Sequence, residues 1–371
     1  MTARRSPPIH AVVLAGGAGE RFWPASRRHH PKPLLEVVGG QSLLDATVQR
    51  ARRFARDRVW LVCGTEHAGA MRSASGLPAS RVLVEPQRRN TAMAVAWAAQ
   101  RIVSDDPEAV MAVLSADHHI PNVAAFASDV RLSARAAAAA DVLVTFGVKP
   151  TRPETGYGYI HLGKPASSGF PGLRRVRSFV EKPDAATARR YLRSRDYRWN
   201  AGIFVFKART ILDEIAVCAP DLDRALEPLR RSSRRRAQIE QSYARAPSLP
   251  IDVAVMERSE RVWSRPVDFA WSDVGTWQSL AEQLGVGQPA VRKRGRPHAD
   301  GGTRVIEGEV LEHASDRNLV WARDRVVALV GVEDLAVIDT GDALLIAKLD
   351  RSAEVRELVA RLKRDGRSDL T

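Results

Sequence analysis

Short apolar runs and helix-period segments alternate along the first 150 residues. The apolar runs are rich in β-branched side chains and predict strands at 11–15, 58–63, 81–84, 110–115 and 142–148. Between them, apolar positions repeat with a helical period, which predicts helices at 42–54, 92–103 and 124–140. Strand–helix alternation is typical of βαβ units, so we predict an α/β fold with a Rossmann-like, mainly parallel sheet.

The pattern changes further along the chain. Asp184 is placed to cap a helix that runs to about Arg195, and a buried strand follows at 203–206. The region 286–304 is rich in Gly, Pro and basic residues, which is typical of a linker. Beyond it we expect short, regularly spaced strands and a closing amphipathic helix, at 303–310, 318–322, 326–332, 335–339, 343–348 and 352–363.

A glycine-rich loop follows the first predicted strand. Leu14 near the end of that strand leads into Gly16, Gly17 and Gly19, and Arg21 and Lys32 come next. Glycines let the backbone approach an anion closely, and Arg and Lys donate charge-assisted hydrogen bonds to phosphate oxygens. The loop is not a P-loop, because no Gly-Lys-Ser/Thr ends it, and Gly-x-Gly-x-x-Gly is also absent. The pattern predicts a nucleoside triphosphate site.

This loop resembles the signature of the sugar-1-phosphate nucleotidyltransferase family. The family pattern is Gly-Gly-x-Gly-x-Arg-(Leu/Phe)-x-Pro followed by Pro-Lys-Pro, and the version with Trp23-Pro24-x-Ser26-Arg27 resembles its mannose-1-phosphate guanylyltransferase branch. The resemblance covers residues 8–349. It implies a GT-A-like nucleotidyltransferase domain over 1–290, a linker over 291–302 and a small C-terminal β-helix-like domain with a terminal helix over 303–371.

The resemblance also implies a site for Mg²⁺, which takes few protein carboxylates and keeps phosphate oxygens and waters as ligands. Asp117 lies in a Ser-x-Asp-His motif after a predicted strand, and Asp273 lies in Trp-Ser-Asp-Val-Gly-Thr-Trp. Both match metal-binding aspartates of the family. The alternative for Asp273 is to cap a helix over 274–282, and Ser272 could take that role instead.

Three further groups of residues follow from the resemblance. Arg21, Lys32 and Lys182 would be the catalytic cations, with Lys32 on the triphosphate and Lys182 on the sugar 1-phosphate. The hexose would contact Glu181 of the Glu-Lys-Pro motif, Asn200 and the backbone of Gly156. The nucleotide would contact the following residues: Leu14, Gly16, Gly17, Gly19, Glu85, Asn90, Thr91 and Ala92.

Some positions depart from the family pattern. Met93 stands where Pro is usual, Pro33-Leu34 where Gln-Phe is usual, and Ala25 where Leu is common. They lie beside positions implied to contact ligands. They leave the chemistry intact but bear on the preference for base and sugar.

Composition excludes several other classes. The net charge of +14 suggests a nucleic-acid binder, yet only 8 of the 57 basic residues are Lys and the arginines are scattered along the chain. No recognised nucleic-acid-binding motif appears, so we expect no nucleic-acid partner. Two cysteines, Cys63 and Cys218, make no disulfide framework, and we expect both to be small buried side chains. No apolar run approaches 18 residues, so we expect no membrane span and a cytoplasmic protein.

The predicted function is transfer of GMP from GTP to α-D-mannose 1-phosphate, giving GDP-mannose and pyrophosphate. Two alternatives stay open: the same chemistry on another nucleotide or hexose 1-phosphate, and a catalytically silent regulatory subunit that binds nucleotide sugar. No cupin-like domain follows the tail, so isomerase activity is not expected. A small sheet exposes its edges, so we expect the tail to pack on the catalytic domain or to pair two copies into a homodimer.

Overall fold

The computed structural model describes residues 7–17, 19–37, 40–287 and 302–371. The chain forms two compact units, each built from separated segments. The first unit contains the residues up to Gly16, Thr47–Ala116 and Ile120–Trp271. The second unit contains Gly17–Ala46, Asp117–His119 and Ser272–Thr371.

The first unit is organised around one nine-stranded sheet. Its strands are β1 Ile9–Ala15, β2 Val59–Gly64, β3 Val82–Glu85, β4 Val110–Ser115, β5 Leu143–Val148, β6 Tyr159–Pro165, β7 Arg174–Val180, β8 Tyr197–Lys207 and β9 Val262–Val267. They lie in the order β3-β2-β1-β4-β8-β5-β9-β7-β6. The first four strands pair in parallel, whereas β8 runs antiparallel to β4 and β5. The predicted α/β fold is confirmed.

Helices follow most of these strands. The helices of the chain are α1 Leu43–Ala55, α2 Ala68–Ser75, α3 Asn90–Val103, α4 Val123–Ala140, α5 Ala185–Ser194, α6 Ala208–Cys218, α7 Pro220–Ala225, α8 Glu227–Arg231, α9 Arg236–Arg245, α10 Trp277–Leu284 and α11 Val355–Arg364. Asn122 and Asp184 cap α4 and α5, because each side chain accepts a hydrogen bond from a backbone N–H of the first turn. No helix in the described ranges is both long enough and apolar enough to cross a membrane.

Helix α3 lies at the centre of the first unit's core. Its residues from Ala92 to Ile102 are buried and belong to the same apolar cluster as side chains of the central strands, among them Val12, Met111 and Phe206. Small alanine side chains dominate α3, so the helix packs closely against its neighbours. One expectation is wrong here: Cys63 is buried, but Cys218 is only half-buried, because it ends α6 near the surface.

The second unit contains a four-stranded sheet in the order β10-β11-β12-β13. Its strands are β10 Arg304–His313, β11 Leu319–Val330, β12 Leu335–Asp339 and β13 Leu344–Lys348. The first three strands stack in parallel register, as in a β-helix, and β13 returns antiparallel. Their inner side chains join an aromatic core with Phe22, Trp277 and Trp321. The predicted β-helix-like tail is confirmed.

Two predicted strands, 318–322 and 326–332, are in fact the single strand β11. The charged residues between them interrupt the apolar pattern and are exposed, and the pairing with β10 shifts register there: Glu307 pairs with Trp321, whereas Glu309 pairs with Val326. Gly308 lies at this shift: it has a φ of +107°, and a Cβ there would lie 1.8 Å from the carbonyl oxygen of Ala322. The predicted linker 291–302 lies outside the described residues except for Gly302, so the domain boundaries stay a prediction.

Candidate active site

The glycine-rich loop is crowded at one of its glycines. Gly19 has a φ of +64°, and a Cβ there would lie 2.6 Å from the Cβ of Lys32 and 2.7 Å from Ser26 Oγ. Only glycine fits this position without displacing those side chains. A Cβ at Gly17 meets no atom within 4 Å, so crowding does not require glycine there. Arg21 follows on the short helical turn Glu20–Phe22 and is exposed.

Lys32 is buried, and its charged end has two hydrogen-bond partners. It begins the helical turn Lys32–Leu34 and is only 6% exposed. Its Nζ lies 2.6 Å from Asp117 Oδ2 and 2.8 Å from the backbone oxygen of Asp273. A buried ammonium needs such partners, because an unpaired charge is costly to remove from water. Lys32 therefore joins the segments that carry the two predicted metal ligands.

Asp117 and Asp273 belong to two short stretches that pair with each other. His119 and Ser272 form an antiparallel bridge, with the His119 N–H donating to the Ser272 oxygen at 2.9 Å and the reverse bond at 3.1 Å. Burial raises the pKa of Asp117, but the positive charge of Lys32 outweighs it, and the pKa lies below its usual value. Asp117 is therefore held ionised, as a metal ligand must be.

The predicted helix cap at Asp273 or Ser272 is wrong. Helix α10 begins at Trp277, and Thr276 caps it reciprocally with Ser279. Asp273 Oδ1 instead accepts a hydrogen bond from the Gly275 N–H at 3.1 Å, and Ser272 Oγ accepts one from Val274. Val274 has a φ of +45°, which is rare for a β-branched residue and is typical of strained functional loops.

The donor set around Lys32 fits Mg²⁺. Mg²⁺ is commonly bound by one or two carboxylates together with substrate phosphates. Asp117 and Asp273 supply that number of carboxylates, and both side chains are only partly exposed. Within the described part of the chain, no cluster of three or more His, Cys, Asp or Glu forms a closed metal cage. The site therefore fits a metal that arrives with a phosphorylated substrate.

Glu85 is a buried carboxyl beside the start of the glycine-rich loop. A Cβ on Gly16 would lie 3.8 Å from Glu85 Oε2, and the Tyr243 hydroxyl donates to Oε1 at 3.0 Å. Burial raises the pKa of Glu85 to about 7, although the hydrogen bond from Tyr243 and the charge of Arg88 lower it. Leu14, in the same unit, accepts a hydrogen bond from the Ala116 N–H through its backbone oxygen.

The predicted base-contacting residues Asn90, Thr91 and Ala92 begin helix α3. Asn90 has a φ of +62°, and its side chain accepts from the Thr91 N–H at 2.9 Å. The Thr91 hydroxyl accepts from the Ile251 N–H, and the Ala92 N–H donates to the Leu249 oxygen. These bonds fix the start of the helix against the 249–251 segment. The Thr91 hydroxyl keeps its own proton to donate.

The predicted hexose residues Glu181 and Asn200 lie close together. A Cβ on Gly158 would lie 2.5 Å from Glu181 Oε2 and 3.3 Å from Asn200 Cβ, so both side chains pack against this glycine. The Gly156 N–H donates to Glu154 Oε1 at 3.0 Å. Its predicted contact with the hexose stays a prediction.

Lys182 is the exposed cation of this group. Its Nζ lies 3.0 Å from Glu181 Oε1, and its side chain is 61% exposed. The φ of Lys182 is +49°, in the left-handed region that residues with a side chain seldom adopt. Such strain persists where the surrounding structure holds it, and it is common at ligand sites.

Sequence reasoning missed one hydroxyl group and one carboxyl group that contact the predicted site residues. Tyr243 bonds Glu85, and Asp252 Oδ1 accepts from Asn200 Nδ2 at 2.8 Å. Burial, followed by the negative charge of Glu181, raises the pKa of Asp252 to about 7. The available signal for Asp252 was a lone carboxylate inside the apolar run 249–256. Tyr243 had none, because it lies in a polar helix far along the chain.

Comparison with known proteins defines the class. The Nucleotidyl transferase family matches residues 10–285, and the MannoseP isomerase/GMP-like beta-helix domain matches residues 308–362. The chain belongs to the nucleotidyl transferase family and carries its β-helix domain. It is therefore an enzyme of the nucleotidyltransferase type.

Individual relatives cover almost the whole chain. A mannose-1-phosphate guanylyltransferase of Escherichia coli K12 is 36% identical over 373 residues, which span 97% of this chain and 75% of the relative. The xanthan biosynthesis protein XanB of Xanthomonas campestris strain B100 is 38% identical over 367 residues, which span 97% of this chain and 74% of XanB. A crystal structure described as mannose-1-phosphate geranyltransferase from Thermus thermophilus is 35% identical, with a TM-score of 0.84 over 96% of this chain and 99% of its own.

Proposed function

We propose that this enzyme transfers GMP from GTP to α-D-mannose 1-phosphate. An oxygen of the sugar 1-phosphate attacks the α-phosphorus of GTP, and the bond from that phosphorus to the β-phosphate oxygen breaks. GDP-mannose and pyrophosphate are the products. One anion attacks another in this reaction, so the protein contributes positioning and positive charge rather than a covalent nucleophile.

The observation that carries the proposal is the position of Lys32. Its ammonium lies between the Asp117 carboxylate and the Asp273 backbone oxygen, and the Cβ of the same side chain lies against Gly19 of the glycine-rich loop. A cation fixed at that point can meet the triphosphate as it reaches the loop. Arg21 is exposed nearby in sequence and would add a bidentate phosphate contact.

Asp117 and Asp273 would hold Mg²⁺ in this proposal. When bound, the metal neutralises phosphate charge and stabilises the charge that develops in the transition state. Lys32 then has a second task, since its charge keeps the Asp117 carboxyl ionised before substrate arrives. The strained backbone at Val274 fixes the direction of the Asp273 segment.

The preference for guanine and mannose rests on two observations. Relatives named mannose-1-phosphate guanylyltransferase align over nearly the whole chain. Glu85 also offers a buried carboxyl, and guanine presents adjacent N–H donors that a carboxylate accepts. Adenine presents an acceptor at the equivalent ring nitrogen and would not offer this carboxylate the same pair of N–H donors.

A substrate matrix tests the proposal. We expect pyrophosphate release to be fastest for GTP with mannose 1-phosphate among all pairs of the four common nucleoside triphosphates with mannose, glucose and fucose 1-phosphates. A faster reaction with another pair would reassign the substrates but keep the chemistry. No pyrophosphate release from any pair would contradict the proposal and favour a silent regulatory subunit.

A further inference from the structure

A short acidic segment of the first unit contacts both predicted hexose residues. This segment, Asp252 to Glu257, is a π-helical turn and the residue that follows it, and we call it the acidic turn. Asp252 Oδ1 accepts a hydrogen bond from Asn200 Nδ2 at 2.8 Å. Glu257 Oε1 accepts one from the backbone N–H of Glu181, also at 2.8 Å. One turn thus holds a side chain of β8 and the end of β7.

The contacts of Asn200 fix which way its amide faces. Its Oδ1 accepts from the Thr145 hydroxyl at 2.8 Å and from the Gly202 N–H at 3.2 Å, so both lone pairs of the carbonyl oxygen are used. Its Nδ2 donates one hydrogen to Asp252, which leaves one hydrogen for a ligand. The amide of Asn200 can therefore act as a hydrogen-bond donor toward the sugar, whereas its carbonyl oxygen is already occupied.

Glu181 can supply an acceptor in this pocket that Asn200 does not. Glu181 packs against Gly158 beside Asn200, and its negative charge lies close enough to Asp252 to help raise the pKa of that carboxyl. A hexose presents vicinal hydroxyls, each able to donate one hydrogen and to accept another. A neighbouring carboxylate and amide N–H match such a pair.

We propose that Asp252 and Glu257 are positioning residues of the hexose 1-phosphate site, acting through Asn200 and Glu181. This inference rests on the proposed function, because it assigns the sugar to that pocket. Asp252 fixes the amide of Asn200 as a donor, and Glu257 fixes the backbone from which Glu181 and Lys182 extend. Neither residue belongs to the motifs that identify the family in this sequence.

The test separates the two substrates of the full-length enzyme. Asp252→Ala removes the acceptor that holds the Asn200 amide, and we expect it to raise the KM for mannose 1-phosphate by about tenfold while the KM for GTP changes by less than about twofold. Asp252→Asn keeps an acceptor oxygen at the same place and should restore most of the loss. Glu257→Ala should act in the same direction, and Glu260→Ala, an exposed change three residues further on, is the matched control.

Calorimetric binding of mannose 1-phosphate alone provides the second readout. The inference is supported if the wild type binds mannose 1-phosphate and this binding weakens in Asp252→Ala and Glu257→Ala but not in Glu260→Ala. This result would support it even if no pair of substrates reacted, because the lack of reaction would contradict only the proposed function. If Asp252→Ala fails to fold, the comparison of Glu257→Ala with Glu260→Ala decides. Unchanged sugar affinity in the folded variants, equal effects on both substrates, or no sugar binding by the wild type would overturn it.

Discussion

Lys32 Nζ lies 2.6 Å from Asp117 Oδ2, so a predicted phosphate-binding cation and a predicted metal ligand form one buried ion pair. Each group stabilises the charge of the other before any substrate is present. Breaking such a pair from one side leaves an uncompensated charge, which is costly. The ion pair therefore links the predicted triphosphate contact to the predicted metal contact.

Removing the cation tests the first half of this link. Lys32→Ala should lower turnover with GTP by about tenfold or more, because a charge-assisted phosphate contact contributes about 1.5–3 kcal/mol. The measurement is the initial rate of pyrophosphate release at saturating sugar phosphate. Lys348→Ala, an exposed lysine of the same unit, is the control. Turnover equal to that control would show that Lys32 has only a structural role.

Removing the carboxylates tests the second half. Asp117→Asn and Asp273→Asn should each lower kcat by a few orders of magnitude, as expected for a lost metal that stabilises transition-state charge. Both variants should still fold, which circular dichroism checks. Asp268→Asn, an exposed change near Asp273, is the control. Near-native turnover at limiting Mg²⁺ in either variant would exclude that residue as a ligand.

The other lysine should affect the other substrate. Lys182 lies beside Glu181 and is mostly exposed, so a sugar 1-phosphate can reach its Nζ without displacing a buried pair. Lys182→Ala should raise the KM for mannose 1-phosphate by about tenfold and leave the KM for GTP nearly unchanged. Lys164→Ala, an exposed lysine of β6, controls for surface charge. Equal effects of Lys32→Ala and Lys182→Ala on both substrates would reject both assignments.

Glu85 should make stability depend on pH. Its pKa in the folded protein is about 7 against an ordinary value of 4.5, so the folded state binds more protons than the unfolded state between these values. The free energy of unfolding therefore falls as pH rises through this window. Glu85→Gln keeps an acceptor for Tyr243. As the pH rises from about 5 to about 7.5, the free energy of unfolding should fall less in this variant than in the wild type, and the two decreases should differ by up to about 3 kcal/mol.

Denaturant titrations at both pH values measure this difference. The contributions of all other groups cancel when wild type and variant are compared. Glu108→Gln, an exposed change, should keep the wild-type pH dependence. A Glu85→Gln variant with that same dependence would show that Glu85 is not a buried carboxyl with a raised pKa.

Local patterns explain how well the fold was predicted. The strand β4 and the capped helix α5 could be predicted because an uninterrupted apolar run and an Asp cap act over a few residues. The start of α10 was predicted wrongly because two capping signals compete there. The side chains of Thr276 and Ser279 each accept a hydrogen bond from the backbone N–H of the other residue. This pair therefore satisfies two backbone N–H groups at the start of α10, more than Ser272 or Asp273 would satisfy.

The site was predictable only where a motif carries its residues. Lys32 and Glu181 lie in short, recognisable patterns. The partners of other site residues are set by tertiary structure. Tyr243 contacts Glu85 from 158 positions away in the sequence, and Asp252 contacts Asn200 from 52 positions away. No local pattern encodes such pairs. They follow from the order of strands and helices in the first unit.

The predicted homodimer now has a specific surface to test. Leu311, Val326 and Val330 of β10 and β11 are 58%, 52% and 67% exposed. Val326, Ala328 and Val330 alternate along β11 and share one face, and Leu311 lies opposite Ala328 in the parallel register. Apolar side chains grouped in this way are typical of an interaction surface, and a two-fold dimer is the commonest closed assembly.

Charge placed on this surface should separate the two copies. We expect sedimentation velocity at about ten micromolar to show a dimer for the wild type and a monomer for the double variant Leu311→Lys, Val330→Lys, because two desolvated ammonium groups per copy oppose association. Val217→Lys, at an apolar position of the first unit that is 77% exposed, should leave the dimer intact. A wild-type monomer, or a double variant that stays dimeric, would contradict pairing through this surface.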